Sequence, residues 1–177
     1  MIFQLKITLK DSKPPIWRRI EIRDTMNFHE LHRVIQVAFD WGDFHLHGFD
    51  IRKSNSNSNY LFGYNSIGPI WTEEFGDVDF TYDENEVLLK DVFKVVKDWV
   101  QYTYDYGDDW DHSVVLEKIL PDSDVSFFPR CKKVVREAPL ESNRFAYLET
   151  GIVTEEVDGN EAAEDINLLL EEEFALT

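Results

Sequence analysis

The chain opens with alternating apolar and polar side chains, the period of two that is typical of a strand with one buried face. This pattern predicts a first strand over residues 2–10. Two prolines follow and predict a turn, since neither can donate a backbone hydrogen bond. Ile16, Ile20 and Ile22 then predict a second strand, and Arg18 shares their face. We therefore expect Arg18 at the sheet margin with its charge paired; contact with an anion is the alternative.

A helix is predicted after the second strand. Asn27 followed by Glu30 has the spacing of a capping box, in which each residue satisfies a backbone N–H of the other. Gly42 is placed to end the helix. His32 lies at the edge of the apolar stripe, where we expect a partly buried histidine that is hydrogen-bonded to backbone. The stripe itself consists of Phe28, Leu31, Ile35, Ala38 and Phe39.

Weaker patterns predict the rest of the chain. Residues 45–53, HLHGFDIRK, alternate and predict a third strand, while the SNSNSN tract at 54–59 predicts a polar loop and 63–86 an irregular segment with room for one short strand. A short helix is expected from about Leu88, and a strand over 131–135. A terminal amphipathic helix is predicted after Asn160 from the apolar set Ala163, Ile166, Leu169, Leu170 and Phe174.

The composition favours one globular domain with a tail. The 177 residues are 43% hydrophobic and 14% aromatic, enough for one sizeable core. No apolar run approaches the roughly 20 residues that cross a bilayer, so no membrane partner is expected. The N-terminus reads as a strand and not as a signal peptide, which predicts a cytoplasmic protein. Cys131 is the only cysteine, which excludes an internal disulfide and any zinc site that needs two thiolates.

The formal net charge of −17 disfavours nucleic acid as a partner, because such binding draws its affinity mainly from Lys and Arg. A local basic patch could still provide it. The excess is uneven, since no Lys or Arg follows Arg144. The acidic C-terminal segment therefore predicts either a solvated face that keeps the protein soluble, or an acidic docking surface or nucleic-acid mimic.

Residues 102–112, YTYDYGDDWDH, crowd four aromatic residues, four aspartates, a glycine and a histidine together. The simplest interpretation is a β-hairpin in which Gly107 takes a conformation denied to other residues and Asp side chains bond the turn. Asp105 and Asp108 are structural on that interpretation. The alternative is a binding surface, since aromatic rings with polar tips favour recognition. Its candidate binding residues are Tyr104, Asp105, Tyr106, Gly107, Asp108, Trp110 and His112.

A metal site is the competing hypothesis. His45 and His47 lie two residues apart on a predicted strand, so both would project from one face and could bind one ion. His112, with a carboxylate from Asp105, Asp108 or Asp109, would complete the site if the fold brings the segments together. No nucleophile motif and no Gly-rich phosphate loop accompanies these residues. We therefore expect no organic cofactor, and a divalent metal is the possible one.

Several motifs, in order and at fixed spacing, make the chain similar to the plasmid pRiA4b ORF-3-like family. They are Trp17-Arg18-Arg19, Leu31-His32, Ile35-Gln36, Ala38-Phe39, Trp41, His45-Leu46-His47, Phe49, Tyr104-Asp105-Tyr106-Gly107-Asp108, Trp110, His112 and Leu116-Glu117. The resemblance spans residues 1 to about 120. It departs at residues 138–142, APLES, where many relatives carry Cys-Pro-Pro-Glu-Asp.

The resemblance implies an α+β fold: a single domain with a largely antiparallel β-sheet packed with a few helices. It implies a link to plasmids and mobile elements, but no established enzymatic activity. We expect an α+β domain over residues 1–148 and an acidic segment with a terminal amphipathic helix over 149–177. The leading functional hypothesis is a non-catalytic interaction module for an unknown protein partner. The alternative is a metal-dependent hydrolase or nuclease-like enzyme that uses His and Asp residues.

Overall fold

A computed structural model describes residues 1–52, 65–72, 76–77, 80–122, 127–142, 144–150 and 155–175. The predicted SNSNSN loop lies outside these residues. The strands are β1 (Ile2–Leu9), β2 (Ile16–Arg23), β3 (His47–Arg52), β4 (Ser66–Gly68), β5 (Trp71–Thr72), β6 (Gly76–Asp77), β7 (Tyr82–Asp83), β8 (Trp99–Tyr104), β9 (Trp110–Leu120) and β10 (Arg130–Val135). The helices are α1 (Phe28–Phe39), α2 (Leu89–Val92), α3 (Arg144–Thr150) and α4 (Glu161–Phe174).

Eight strands form one sheet in the order β10-β2-β1-β9-β8-β3-β4-β7. Neighbouring strands are antiparallel except β4 and β7, which pair in parallel. Strands β5 and β6 form a separate two-stranded sheet. The predicted α+β fold with a largely antiparallel sheet is therefore confirmed. No helix within the described residues is long and apolar enough to cross a membrane.

The first two strands follow the prediction, but Arg18 does not lie at the margin of the sheet. Strand β2 runs between β1 and β10, and the Arg18 side chain is buried. Its guanidinium donates to four backbone carbonyls, those of Trp17, Ala38, Val135 and Arg136, instead of pairing with a carboxylate. Burial lowers the pKa of Arg18 to about 10. The expected ion pair is replaced by carbonyls, including one at the C-terminal end of α1.

Helix α1 begins at the predicted capping box. The Asn27 side chain accepts from the Glu30 N–H at 2.8 Å, and Glu30 Oε2 accepts from the Asn27 N–H at 2.7 Å. The helix ends earlier than expected, because Asp40 and not Gly42 takes the left-handed conformation that stops it, with φ of 55°. The buried face of α1 packs on the sheet, where the Phe28 ring meets the Phe49 ring edge-on.

Two boundaries in the middle of the chain differ from the sequence interpretation. Strand β3 begins at His47, so His45 precedes it and the two histidines do not share a strand. The segment expected to be irregular supplies β4 and β7 to the sheet edge. Strands of two or three residues are too short to show a recognisable alternation of apolar and polar positions.

The terminal helix packs against β10 and α1. Leu170 and Ala163 are its buried residues, whereas Leu169 is 47% exposed. The helix therefore covers one edge of the sheet with only part of the predicted apolar stripe. The division of the chain at residue 148 stays a prediction.

Candidate metal centre

Three consecutive segments bring two histidines and an aspartate together beside the sheet. His32 lies on α1, Asp43 on the loop after it, and His47 at the start of β3. One ligand atom from each lies within 4.8 Å of those of the other two. The loop folds back onto α1 through Asp40 and Asp43, both at positive φ, and the Asp43 N–H donates to Gln36 Oε1 at 3.1 Å. Local backbone geometry thus places the carboxylate beside the helix.

His32 is held at both ring nitrogens. Its Nδ1 lies 2.8 Å from Tyr102 Oη and its Nε2 lies 2.8 Å from Asp43 Oδ1. Gln36 Nε2 donates to the same tyrosine oxygen at 2.9 Å. Burial lowers the pKa of His32 to about 4, although the hydrogen bond that the Asp43 carboxylate accepts raises it, so the imidazole is neutral at pH 7 and can act as a ligand.

Glu84 joins the cluster from the residue after β7. Its carboxylate bridges two histidines, with Oε2 2.6 Å from His47 Nε2 and Oε1 3.0 Å from His29 Nδ1. Burial opposes ionisation of Glu84, but the hydrogen bonds with His29 and His47 outweigh it and lower the pKa to about 2. No Lys or Arg in the described part of the chain pairs with this buried anion. Among the described residues, the side-chain partners of its carboxylate are the imidazoles of His29 and His47.

The two central histidine rings are stacked. The centroids of His32 and His47 lie 3.3 Å apart and the planes differ by 2°. Nitrogen lone pairs lie in the ring planes, so two parallel rings direct them side by side and not at one point. For both to bind one ion, the rings must tilt toward each other. The half-exposed Asp43 side chain, 51% accessible, forms the solvent side of the cluster, whereas His32 is 1% exposed.

The structure separates two of the histidines that the sequence grouped as ligands. His47 belongs to the cluster, but His45 faces Asp105, with Nε2 3.6 Å from Oδ2. His112 is fully buried, its Nδ1 3.0 Å from the Trp110 carbonyl, and its Nε2 has no hydrogen-bond partner among the described residues. Its ring lies edge-on to Phe39, away from the His32 cluster. His45, His47 and His112 therefore do not converge on one point.

Sequence reasoning missed His29, Asp43 and Glu84. It expected His32 to be hydrogen-bonded to backbone, whereas its partners are the side chains of Tyr102 and Asp43. One signal was available, because His29 and His32 lie three residues apart on α1 and so project from the same side of the helix. Glu84 had no such signal. It lies 37 residues along the chain from His47, and only the pairing of strands at the sheet edge brings the two together.

The aromatic hairpin is mostly core. Strands β8 and β9 pair as predicted, but Tyr104 is 0% exposed and Trp110 is 1% exposed. Asp105 and Asp109 take positive φ in the turn; Gly107 does not, contrary to the prediction. Asp105 Oδ1 accepts from the Gly107 N–H at 3.0 Å, as expected of a turn aspartate. The exposed part of the stretch is its turn, which includes Tyr106, and not a continuous aromatic surface.

The segment that departs from the relatives' pattern packs against these aromatic residues. Trp41 Nε1 donates to the Pro139 carbonyl at 3.0 Å, and Trp110 Nε1 to the Glu141 carbonyl at 2.6 Å. The Glu141 carboxylate accepts from the Gly42 N–H at 2.8 Å and from the Tyr104 hydroxyl. Residues 138–142 therefore brace the loop that carries Asp43.

Comparison with known proteins agrees with these motifs. Residues 1–174 match the sequence profile of the family described as plasmid pRiA4b ORF-3-like protein. The chain belongs to this family. The match extends through α4, beyond the residues on which the resemblance rested.

Two relatives show how far the pRiA4b ORF-3-like likeness reaches. The uncharacterized protein y4hQ of Sinorhizobium fredii is 32% identical over 121 residues, which are 68% of this chain and 55% of that protein. This chain thus spans about half the length of that relative. The crystal structure of MM3350, a protein of unknown function from Methanosarcina mazei Go1, is 34% identical with a TM-score of 0.71, covering 96% of this chain and 88% of that one.

Proposed function

We propose that this pRiA4b ORF-3-like protein binds one divalent metal ion of the zinc class through His32, Asp43 and His47, and uses it for hydrolysis. The proximity of three potential ligand atoms, all within 4.8 Å of one another, carries the proposal, and binding would require the two stacked rings to tilt toward the ion. Imidazole and carboxylate donors suit Zn²⁺ and its first-row neighbours.

Glu84 would orient one of the two histidine ligands. It is hydrogen-bonded to His47 Nε2, so Nδ1 of that ring would bind the ion, and carboxylates in this position orient metal-binding histidines. Tyr102 would have the same role at His32, where it accepts from Nδ1–H and Nε2 would bind the ion. A hydrogen bond at the other ring nitrogen would therefore orient each imidazole ligand.

Three protein ligands leave a coordination position for water, as in catalytic zinc sites, and the exposed Asp43 side gives solvent a route to it. A bound divalent ion lowers the pKa of its water toward neutrality and supplies hydroxide as a nucleophile. That hydroxide would add to the carbonyl carbon of an ester, the bond from this carbon to the leaving oxygen would break, and the proton of the added hydroxyl would pass to the leaving alkoxide, which gives a carboxylate and an alcohol.

The surrounding charges favour a neutral substrate over a phosphodiester. Asp43 and Glu84 are anionic and would offset the two positive charges of the ion. Arg33, one turn along α1 from His29, is already bonded to Glu173 at 2.7 Å. Phosphoryl transfer relies on cations that neutralise the phosphate oxygens. An ester or amide makes no such demand.

Metal binding is tested on untagged protein, so that no added histidines contribute. Elemental analysis and titration with Zn²⁺, Co²⁺ and Mn²⁺ should give one ion per chain. His47→Gln should remove it, whereas His45→Gln, two residues away and bonded to Asp105, should not. Glu84→Gln should weaken binding about 10- to 100-fold. Failure of the folded wild type to bind any of these ions at micromolar concentration would refute the site and leave the cluster as a polar network.

Hydrolysis is tested separately on the loaded protein. p-Nitrophenyl acetate is the neutral probe and bis(p-nitrophenyl) phosphate the anionic one. We expect metal-dependent turnover of the ester, lost in His47→Gln and kept in His45→Gln. If the protein binds the ion but accelerates neither reaction, the metal site stands and the proposed hydrolase activity is wrong.

A further inference from the structure

A groove lies between the C-terminal end of α1, the chain after β10 and one side of α4. Its volume is about 620 Å³, within the range of roughly 300–1,000 Å³ that ligand-binding clefts occupy. The floor is apolar, built from Val37 and Ala38 on α1 and from Ala162, Ile166 and Leu169 on α4. This site is separate from the metal cluster and does not depend on it.

The rim of the groove is acidic on both sides. Asp40 follows α1, Glu137 follows β10, and Glu161 and Asp165 lie on α4. Asp158 precedes α4, and its carboxylate also accepts from the N–H groups of Asn160 and Glu161. None of the five forms a salt bridge with a Lys or Arg in the described part of the chain. Five carboxylates around an apolar floor attract a cation with an apolar body.

Arg18, the one basic residue in the described lining, offsets one of the five acidic charges and leaves a formal charge of −4. It is 3% exposed, and its guanidinium donates to backbone carbonyls beneath the groove. An anionic ligand would face the carboxylates first. The electrostatics therefore select a basic occupant.

The spacing of the acidic residues on α4 favours a helical occupant. Glu161 and Asp165 are four residues apart, so they stand about 6 Å apart along the helix axis. Two acids one turn apart match two basic residues one turn apart on a second helix. Leu140 and Leu169, 78% and 47% exposed, add apolar surface that such a helix would cover.

We propose that this groove binds a basic amphipathic helix of a partner protein. Apolar side chains at successive turns of the partner enter the floor, as in other helix-in-groove complexes, while its Lys and Arg side chains meet the acidic rim. Charge complementarity steers the encounter and fixes the orientation.

The probe is a fluorescein-labelled 14-residue peptide of leucine and lysine at helical amphipathic spacing. Its binding is measured by anisotropy near 150 mM salt. Two control peptides accompany it, one with glutamate in place of lysine and one with the same residues in scrambled order. We expect saturable one-to-one binding of the amphipathic basic peptide alone. No binding, or equal binding of the scrambled peptide, overturns the proposal.

Paired variants separate the groove from the overall charge of −17. Asp165→Lys should weaken binding at least tenfold and Glu164→Lys less than threefold, because both make the same charge change but only Asp165 lines the groove. Leu169→Ser should likewise weaken binding at least tenfold, and Leu168→Ser, at the exposed neighbouring residue, less than threefold. Equal losses within either pair refute the groove. Sedimentation that shows a dimer abolished by Leu169→Ser would instead assign the face to a second copy of the chain.

Discussion

His112 should make the folded protein sensitive to mild acid. Its ring is fully buried, and burial lowers its pKa to about 3, although the backbone hydrogen bond to Trp110 favours the charged form. Phe39, Trp41 and Tyr102 surround it, and the charges of Arg144 and Arg18 also lower the pKa. Protonation of the His112 ring in this environment therefore costs free energy.

The direction of the change in stability with pH follows from the number of protons that each state binds. Between pH 3 and pH 6.5 the unfolded chain binds a proton at this histidine and the native protein does not, so stability falls as pH falls through that window. Proton uptake at an ordinary pKa of about 6.5 stabilises the unfolded state by about 2 kcal/mol at pH 5, and by a few tenths or less at pH 7. His112 should therefore cost the protein about 2 kcal/mol between these pH values.

The assay is urea unfolding at pH 7, 6 and 5, in chelator so that metal binding does not contribute. Wild type and His112→Leu are compared for their change in free energy of unfolding with pH. The buried acid-sensitive His32 is present in both and cancels. Val114→Ala, a buried neighbour on β9, controls for loss of stability without loss of a titrating group and should keep the wild-type pH dependence. Equal pH dependence in wild type and His112→Leu would refute the reasoning.

Two further predictions concern an ion pair and a helix contact. Glu117→Gln should lower stability at pH 7, because the hydrogen bond with Arg19 depresses the pKa of Glu117; the difference from wild type should close as acid protonates that carboxyl, measured by thermal unfolding from pH 7 to pH 3. Gly159→Ala should displace α4, because a Cβ there would lie 2.5 Å from the Val134 carbonyl oxygen, and faster amide exchange throughout α4 with the rest of the sheet unchanged would show it. Unchanged amide exchange in α4 would contradict the Gly159 prediction. A stability difference between Glu117→Gln and wild type that does not change with pH would contradict the Glu117 prediction.

Local signals predicted the elements that depend on neighbours in sequence. The alternation at residues 2–10 and the Asn27–Glu30 box each describe interactions within a few residues, so β1 and the start of α1 could be placed before any tertiary contact was known. The turn at Asp105 is of the same kind, since its side chain bonds a backbone N–H two residues away.

Predictions about burial were less successful where a polar side chain lies in a packed interior. Trp110 and Tyr104 suggested an amphipathic surface, yet both are core residues whose polar atoms bond the segment at Glu141. Arg18 suggested a salt bridge and instead satisfies carbonyls. Side-chain identity fixes what a group can donate, but only the fold fixes which acceptors surround it.

By itself the sequence determined the family, the fold class and the presence of histidines and acids suited to a metal, because motif order and hydrophobic period are properties of the linear chain. Only the tertiary structure decided which histidines meet. His47 reaches His32 because side chains of β3 pack against those of α1, as Phe49 and Phe28 also do. Glu84 reaches His47 and His29 from the residue after β7, at the edge of the sheet. His112 lies on a strand of the same sheet but is buried among aromatic rings, since side-chain direction depends on register and packing that no local spacing encodes.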